Sequence, residues 1–125
     1  MSSLKTIRLL VADSNEILRM SLAAALEYQD GIQLVGEASD GLEAVRLCVE
    51  LQPDVVLMGV RLHKLDGISA TRLIREQNPE IKVIILTASF ASGDEQTALD
   101  AGASLYLYKD GGIDEIADAI RSVAR

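Results

Sequence analysis

Residues 55–67 read VVLMGVRLHKLDG, so a short apolar run leads directly into a polar loop. Four consecutive apolar residues, 55–58, are typical of a central parallel strand that is covered on both faces. Gly59 stands at the carboxyl end of this run. Ligands and catalytic groups collect at that edge of open α/β sheets, so a residue without a side chain is an unexpected occupant.

Outward from this run, short apolar segments alternate with segments of helical period. The predicted strands are residues 7–12, 32–38, 54–58, 82–87 and 105–108. Four helices are predicted from apolar stripes, which comprise Ile17, Leu18, Leu22 and Leu26; Leu42, Val45, Cys48 and Val49; Ile68, Thr71, Leu73 and Ile74; and Ile113, Ile116, Ala117, Ile120 and Val123. A weaker helical segment spans roughly residues 93–101 and closes at Gly102.

This order repeats a strand and a helix five times. Right-handed crossovers then place helices on both sides of the sheet. The sequence therefore predicts an α/β fold of one domain over residues 1–125, a flavodoxin-like, doubly wound (βα)5 sandwich with a five-stranded parallel sheet.

Composition narrows the function classes. A formal net charge of −7 argues against direct binding of nucleic acid, which needs a basic face. One cysteine, Cys48, makes no internal disulfide and fits a reducing compartment. No segment approaches the roughly 18 apolar residues that span a membrane, so we expect no membrane association and a cytoplasmic location.

Several polar residues follow the predicted strands at one edge of the sheet. The carboxyl ends of strands one, three, four and five converge there. The sequence predicts a shallow pocket with one carboxylate, hydroxyls, an amide and one ammonium group. The residues at this edge are Asp13, Ser14, Asn15, Gly59, Thr87, Ser89, Lys109 and Asp110.

Five segments, IRLLVADSNEILRMSLAAALE, LVGEASDGLEAV, PDVVLMGVRLHKLDG, KVIILTAS and AGASLYLYKDG, cover nearly the whole chain. Together they resemble the receiver domain of two-component response regulators, most closely the NarL/FixJ type. The resemblance implies phosphorelay signal transduction, in which a kinase phosphohistidine gives its phosphoryl group to an aspartate ending strand three. It also implies an acid pair that helps hold Mg²⁺, a Thr and a Lys that contact the phosphoryl oxygens, and an aromatic switch residue on strand five.

This chain matches the family pattern only in part. Ser14 stands where the second acid of the pair belongs, and Gly59 stands where the phosphoacceptor aspartate belongs. The loop that usually reads Met-Pro reads Leu62-His63. The positions that do match the pattern are Asp13, Thr87, Lys109 and the aromatic Tyr106. Several simultaneous changes indicate natural loss of phosphotransfer rather than one engineered substitution.

These substitutions have direct chemical consequences. Acyl phosphate formation needs a carboxylate nucleophile, and Gly59 has none. Mg²⁺ usually takes one or two carboxylates plus waters, whereas the resemblance leaves only the Arg61 carbonyl as a direct ligand. We therefore expect no cofactor and lost or weak Mg²⁺ binding. With two acids removed, we expect Asp13 and Lys109 to form an ion pair or a water-bridged contact.

Other residues have competing interpretations. Asp66 is expected to cap the third helix rather than replace the missing acceptor, and His63 is expected to be exposed rather than a metal ligand. Cys48 is expected in the core rather than as a redox sensor. Tyr106 is either a switch or a locked aromatic. Thr87 and Lys109 are expected to be relics of the old pocket, with binding of a small anion as the alternative.

The leading hypothesis is a regulatory domain, not an enzyme: an atypical, phosphorylation-independent receiver of a transcriptional response regulator. It implies a homodimer through the helix one/helix five face or the helix four–strand five–helix five face, and a kinase or another regulator as protein partner. Nucleic acid would be bound only by a separate helix-turn-helix domain outside this chain. The alternative is a stand-alone receiver that docks to a kinase or another receiver as competitor or adaptor. A flavin site is excluded, because ADSNEILR is no phosphate loop.

Overall fold

A computed structural model describes residues 6–88 and 94–124. Strands and helices alternate throughout these residues, as predicted, and one 3-10 turn precedes the last helix. The elements are β1 (Ile7–Ala12), α1 (Glu16–Glu27), β2 (Ile32–Ala38), α2 (Gly41–Leu51), β3 (Val55–Gly59), α3 (Gly67–Gln77), β4 (Lys82–Thr87), α4 (Glu95–Asp100), β5 (Leu105–Tyr108), the 3-10 turn (Lys109–Gly111) and α5 (Gly112–Val123).

The five strands form one sheet in the order β2-β1-β3-β4-β5, and every neighbouring pair is parallel. This is the strand order of the flavodoxin-like fold, so the predicted fold class is confirmed. β3 lies in the middle, with Met58 opposite Ala12 of β1 on one side and Gly59 opposite Leu86 of β4 on the other. The ends of these three strands therefore reach the same edge.

Alternate residues of the central strands supply two separate hydrophobic cores, as the period of two along a strand requires. Leu10, Val56 and Ile85 face the layer formed by α2, α3 and α4. Their chain neighbours face the layer formed by α1 and α5. All residues of β3 are buried, which explains the uninterrupted apolar run in the sequence.

The third strand begins one residue later than predicted. Asp54 lies before the strand, and its carboxylate accepts the backbone N–H of Arg8 at 2.9 Å. Gly59 is instead the last residue of β3. The prediction missed it because glycine adds nothing to an apolar run, whereas backbone pairing does not need a side chain.

Part of each of three predicted stripes faces solvent. Ile17 is 79% exposed, and Leu42, Val49 and Leu73 are exposed as well. Consecutive residues on a helix lie about 100° apart, so Ile17 and Leu18 do not both point into the same core. The same geometry places Cys48 inside and Val49 outside.

The fourth helix is shorter than the predicted segment 93–101. It covers Glu95–Asp100, and Gly93 lies outside the described residues. Gly102 follows its end with a φ of +113°, a conformation that favours glycine. Within the described residues, no helix has the length and apolar character that crossing a bilayer requires.

Asp66 caps α3, as predicted. One carboxylate oxygen accepts the backbone N–H of Ser69 and the other accepts the Ser69 hydroxyl, both at 2.8 Å. Partial burial raises the pKa of the Asp66 carboxyl, but the hydrogen bonds from Ser69 outweigh it, so the pKa lies below its usual value of 3.8. The cap therefore stabilises the fold most when the carboxyl is ionised.

Replacing Asp66 by alanine should lower the free energy of unfolding by about 1 kcal/mol at neutral pH, the usual cost of losing an N-cap. The deficit should be full above pH 3.8 and shrink as pH falls through the lowered folded-state pKa, because the wild type then loses the same contribution. Urea denaturation at several pH values measures it. Glu76→Ala, on the exposed side of α3, is the control. An Asp66→Ala deficit equal to that of the control would contradict the capping role.

Candidate functional site

A cavity of about 200 Å³ opens at the carboxyl edge of the sheet. Four of the five residues predicted for the degenerate phosphoacceptor pocket line it, and Ser14 does not. Ser89, expected at the same edge, lies outside the described residues. The lining residues are Asp13, Gly59, Val60, Arg61, Leu86, Thr87, Ala88 and Lys109.

Asp13 and Lys109 form an ion pair across this cavity. The Lys109 Nζ lies 3.4 Å from Oδ2 of Asp13, and both side chains are partly shielded from solvent. The other carboxylate oxygen of Asp13 accepts the backbone N–H of Asn15 at 2.9 Å. The expected Asp13–Lys109 contact is confirmed, and both carboxylate oxygens of Asp13 have partners.

Gly59 is buried and lines the cavity, and there is little space around it for a side chain. A Cβ built on Gly59 would lie 3.2 Å from Oδ2 of Asp13 and 3.3 Å from Cδ2 of Leu62. Both distances are tighter than ordinary van der Waals contacts, so any larger residue requires those groups to move. The Asp13 carboxylate thus lies next to the space that a side chain at position 59 would occupy.

Gly67 explains why the Asp66-Gly67 pair is kept in a loop that otherwise departs from the family pattern. Its N–H donates to the carbonyl of Val60 at 2.8 Å. A Cβ at position 67 would overlap the carbonyl oxygen of Gly59. Glycine at 67 is therefore needed for α3 to start against the end of β3.

Ser14 makes a contact that the sequence did not predict. Its Oγ accepts the backbone N–H of His63 at 3.0 Å, which joins the β1–α1 loop to the β3–α3 loop. The His63 side chain itself is exposed, as predicted. Residue 14 therefore contacts the neighbouring loop rather than the cavity.

The donor set of this site does not fit Mg²⁺. Magnesium prefers near-octahedral oxygen ligands with one or two carboxylates. Among the described residues, Asp13 is the only acid that lines the cavity, and Gly59 offers no ligand atom from a side chain. No group of three or more His, Cys, Asp or Glu in residues 6–88 and 94–124 is arranged to hold a metal ion.

Thr87 and Tyr106 occupy buried positions on neighbouring strands. Thr87 ends β4, where it pairs with Tyr108 of β5. The Tyr106 ring is buried and packs edge-on against the Tyr108 ring, with centroids 5.7 Å apart and planes at 81°. Tyr106 is therefore a core residue in this structure, and its role as a switch residue stays a prediction.

Cys48 and Arg19 lie outside the cavity and have structural roles. Cys48 is buried in the α2 side of the core, and burial raises the pKa of its thiol to about 12, as expected for a packing residue. Arg19 was not predicted to contribute. Its guanidinium donates to the backbone carbonyl of Asp13 at 2.9 Å and to Glu37 at 3.1 Å, which fixes the start of the β1–α1 loop. The sequence feature that could have indicated this role is the presence of Arg19 within the largely apolar segment of α1.

A doubly wound sheet with an acid and a lysine paired at its carboxyl edge defines the class of protein. Residues 9–121 match the response regulator receiver domain family, and the chain belongs to that family. It is 46% identical over 119 residues to the transcriptional regulatory protein LiaR of Bacillus subtilis. It is 38% identical over 120 residues to the response regulator protein VraR of Staphylococcus aureus.

These alignments cover 95% and 96% of this chain, but only 56% and 57% of LiaR and VraR. The chain thus spans little more than half the length of these relatives. A LuxR-family two-component response regulator from Aurantimonas is 34% identical, with a TM-score of 0.90 over 96% of this chain and 86% of that one. The response regulator domain of Thermotoga maritima CheB is 32% identical, with a TM-score of 0.88 over 96% and 97%.

Proposed function

We propose that this receiver domain works without aspartyl phosphorylation, as the regulatory and dimerisation domain of a two-component transcriptional regulator. The observation that carries the proposal is Gly59, which ends β3 inside the cavity where the family pattern has its phosphoacceptor. The domain acts by binding, not as an enzyme, and its expected location is the cytoplasm.

The chemistry of the cavity supports this proposal. An acyl phosphate forms only on a carboxylate oxygen. The carboxylate of Asp13 holds the Lys109 ammonium and the N–H of Asn15. The carboxylate of Asp66 is committed to capping α3 through both oxygens. Both of these carboxylates therefore already take part in structural contacts.

The lack of a suitable metal site among the described residues is a second obstacle to phosphoryl transfer. Phosphoryl transfer relies on cations that neutralise the charge developing on the phosphoryl oxygens. The poor match between the cavity's donor set and Mg²⁺ removes that neutralisation. Loss of the nucleophile and loss of the metal ligands are separate obstacles, so repairing one leaves the other.

The transcriptional part of the proposal comes from the relatives. LiaR is named a transcriptional regulatory protein, and this chain aligns to 56% of it. With a net charge of −7, the chain is poorly suited to contact DNA phosphates itself. DNA binding is assigned to a separate domain, and a kinase or another regulator is the protein partner of the receiver.

A second copy of this chain is the proposed occupant of an apolar surface on α1. Ile17, Met20, Ala24 and Tyr28 recur at helical spacing and are exposed on one side of α1 and its end. In the other candidate face, α4–β5–α5, the exposed large hydrophobic side chain among the described residues is Leu99, at 38%, well below the 79% of Ile17. The helix one/helix five face is therefore the favoured dimer surface.

The phosphorylation-independent state is tested with a small-molecule phosphodonor, and separately with beryllofluoride, each with Mg²⁺. The wild type should show no acid-labile phosphate by intact mass and no thermal shift, because Gly59 has no attacking oxygen. Gly59→Asp alone should also fail, since Ser14 supplies no metal-binding carboxylate.

The control for that experiment is the double variant Ser14→Asp/Gly59→Asp. Both acids of the family pattern are then present, so this variant should gain a thermal shift with beryllofluoride and Mg²⁺. Stoichiometric phosphate on the wild-type chain would overturn the proposal.

Dimerisation through α1 is tested by sedimentation velocity. Met20→Glu should shift the protein toward monomer, because it places a charge within the apolar surface of α1. Leu42→Glu is the matched control, since Leu42 on α2 has the same exposure, 53%. A wild type that is monomeric at high concentration, or a Leu42→Glu variant that dissociates as readily as Met20→Glu, would contradict this surface.

A further inference from the structure

The peptide groups of His63 connect three loops at the carboxyl edge of the sheet. Its N–H donates to Oγ of Ser14 at 3.0 Å in the β1–α1 loop. Its carbonyl accepts the N–H of Gly41 at 3.2 Å, at the start of α2. A Cβ on Gly41 would overlap the backbone of Leu65, so the β2–α2 and β3–α3 loops are in close contact.

From this geometry we infer that the Ser14–His63 hydrogen bond is a built-in latch, which holds the pocket loops together in place of a bridging metal ion. Two loops that end on neighbouring strands are joined either through an ion that both coordinate or through a direct bond. The donor set here does not fit the ion, and the direct bond is present.

The latch requires a hydroxyl group at position 14 and a residue other than proline at position 63. The Ser14 hydroxyl oxygen accepts the His63 N–H, whereas an alanine at position 14 has no acceptor atom. A proline at position 63, as in the Met-Pro of the family pattern, has no N–H to donate. Ser14 and His63 are therefore a matched pair, and the part of His63 that matters is its backbone rather than its imidazole.

The conformation of the next residue supports a loop held firmly from several sides. Lys64 has a φ of 67°, in the left-handed region that residues other than glycine rarely adopt. Such conformations persist where surrounding contacts over-determine them. The contacts here are three hydrogen bonds of the His63 peptide groups, to Ser14, Gly41 and Leu65. In addition, Lys64 Nζ approaches the Asp40 carboxylate at 3.7 Å.

The inference deepens the proposed function and rests on it in one respect, which is that no metal occupies the pocket. A latch made of protein atoms holds the three loops in the same arrangement whatever the divalent cation concentration. A regulatory partner would then bind at another surface of the domain, because the β1–α1 and β3–α3 loops are already joined by a direct hydrogen bond.

Amide hydrogen exchange followed by NMR tests the latch on the whole chain. The His63 amide should be protected in the wild type and exchange about three- to tenfold faster in Ser14→Ala, the change expected for losing one exposed hydrogen bond. Ser14→Thr keeps the hydroxyl and should retain the protection. His63→Ala keeps the N–H and should leave the Gly41 amide as protected as in the wild type.

His63→Pro gives an independent arm, because it removes the N–H donor while a carbonyl remains at residue 63. The loop that carries this carbonyl loses its bond to Ser14, which loosens the contact with Gly41. The Gly41 amide should then exchange faster, and adding Ser14→Ala should have no further effect, since the two changes break the same bond. Equal exchange of the His63 amide in the wild type and Ser14→Ala would overturn the latch.

The two proposals fail separately in these experiments. Slower wild-type exchange at His63 on adding Mg²⁺ would overturn the latch as a replacement for the ion. A phosphoryl adduct on the wild type with Ser14-dependent protection still intact would overturn the proposed function and support the latch.

Discussion

The pairing of β3 with β1 and β4 is the constraint on which the rest of the molecule depends. β3 is buried along its whole length, so a shift of one residue would exchange the side chains of its two cores. The fixed register places the ends of β1, β3 and β4 side by side. Pairing of Thr87 with Tyr108 brings β5 to the same edge, and Lys109 follows it directly. Asp13 and Lys109 meet because the sheet holds both strand ends there.

At this edge of the sheet, polar groups from different loops pair with one another. The ammonium of Lys109 needs a counter-charge in a partly shielded cavity, and Asp13 supplies it from a position close to the space beside Gly59. Ser14 accepts the N–H of His63, which joins the β1–α1 loop to the β3–α3 loop. The ion pair and the hydrogen bond thus each join separate segments at the carboxyl edge of the sheet.

The sequence predicts the architecture well because strands buried on both faces and helices of regular period leave distinct patterns. It overestimates the buried stripes at Ile17, Val49 and Leu73, where apolar residues stand next to each other and only one faces the core. It predicts the Asp13–Lys109 pair, because opposite charges at converging strand ends attract. It misses the contacts of Ser14 and Arg19, which depend on backbone groups of other segments and leave no periodic signal.

The Asp13 carboxylate is already paired with Lys109 and with the N–H of Asn15, so we expect the pocket to bind no divalent ion. Titrating the ¹⁵N-labelled wild type with millimolar Mg²⁺ tests it most directly, with the Ser14→Asp/Gly59→Asp variant as the responsive control. The amides of Asp13, Gly59 and Lys109 should keep their chemical shifts in the wild type, whereas those of the variant should move. A saturable shift centred on these three amides in the wild type would contradict it.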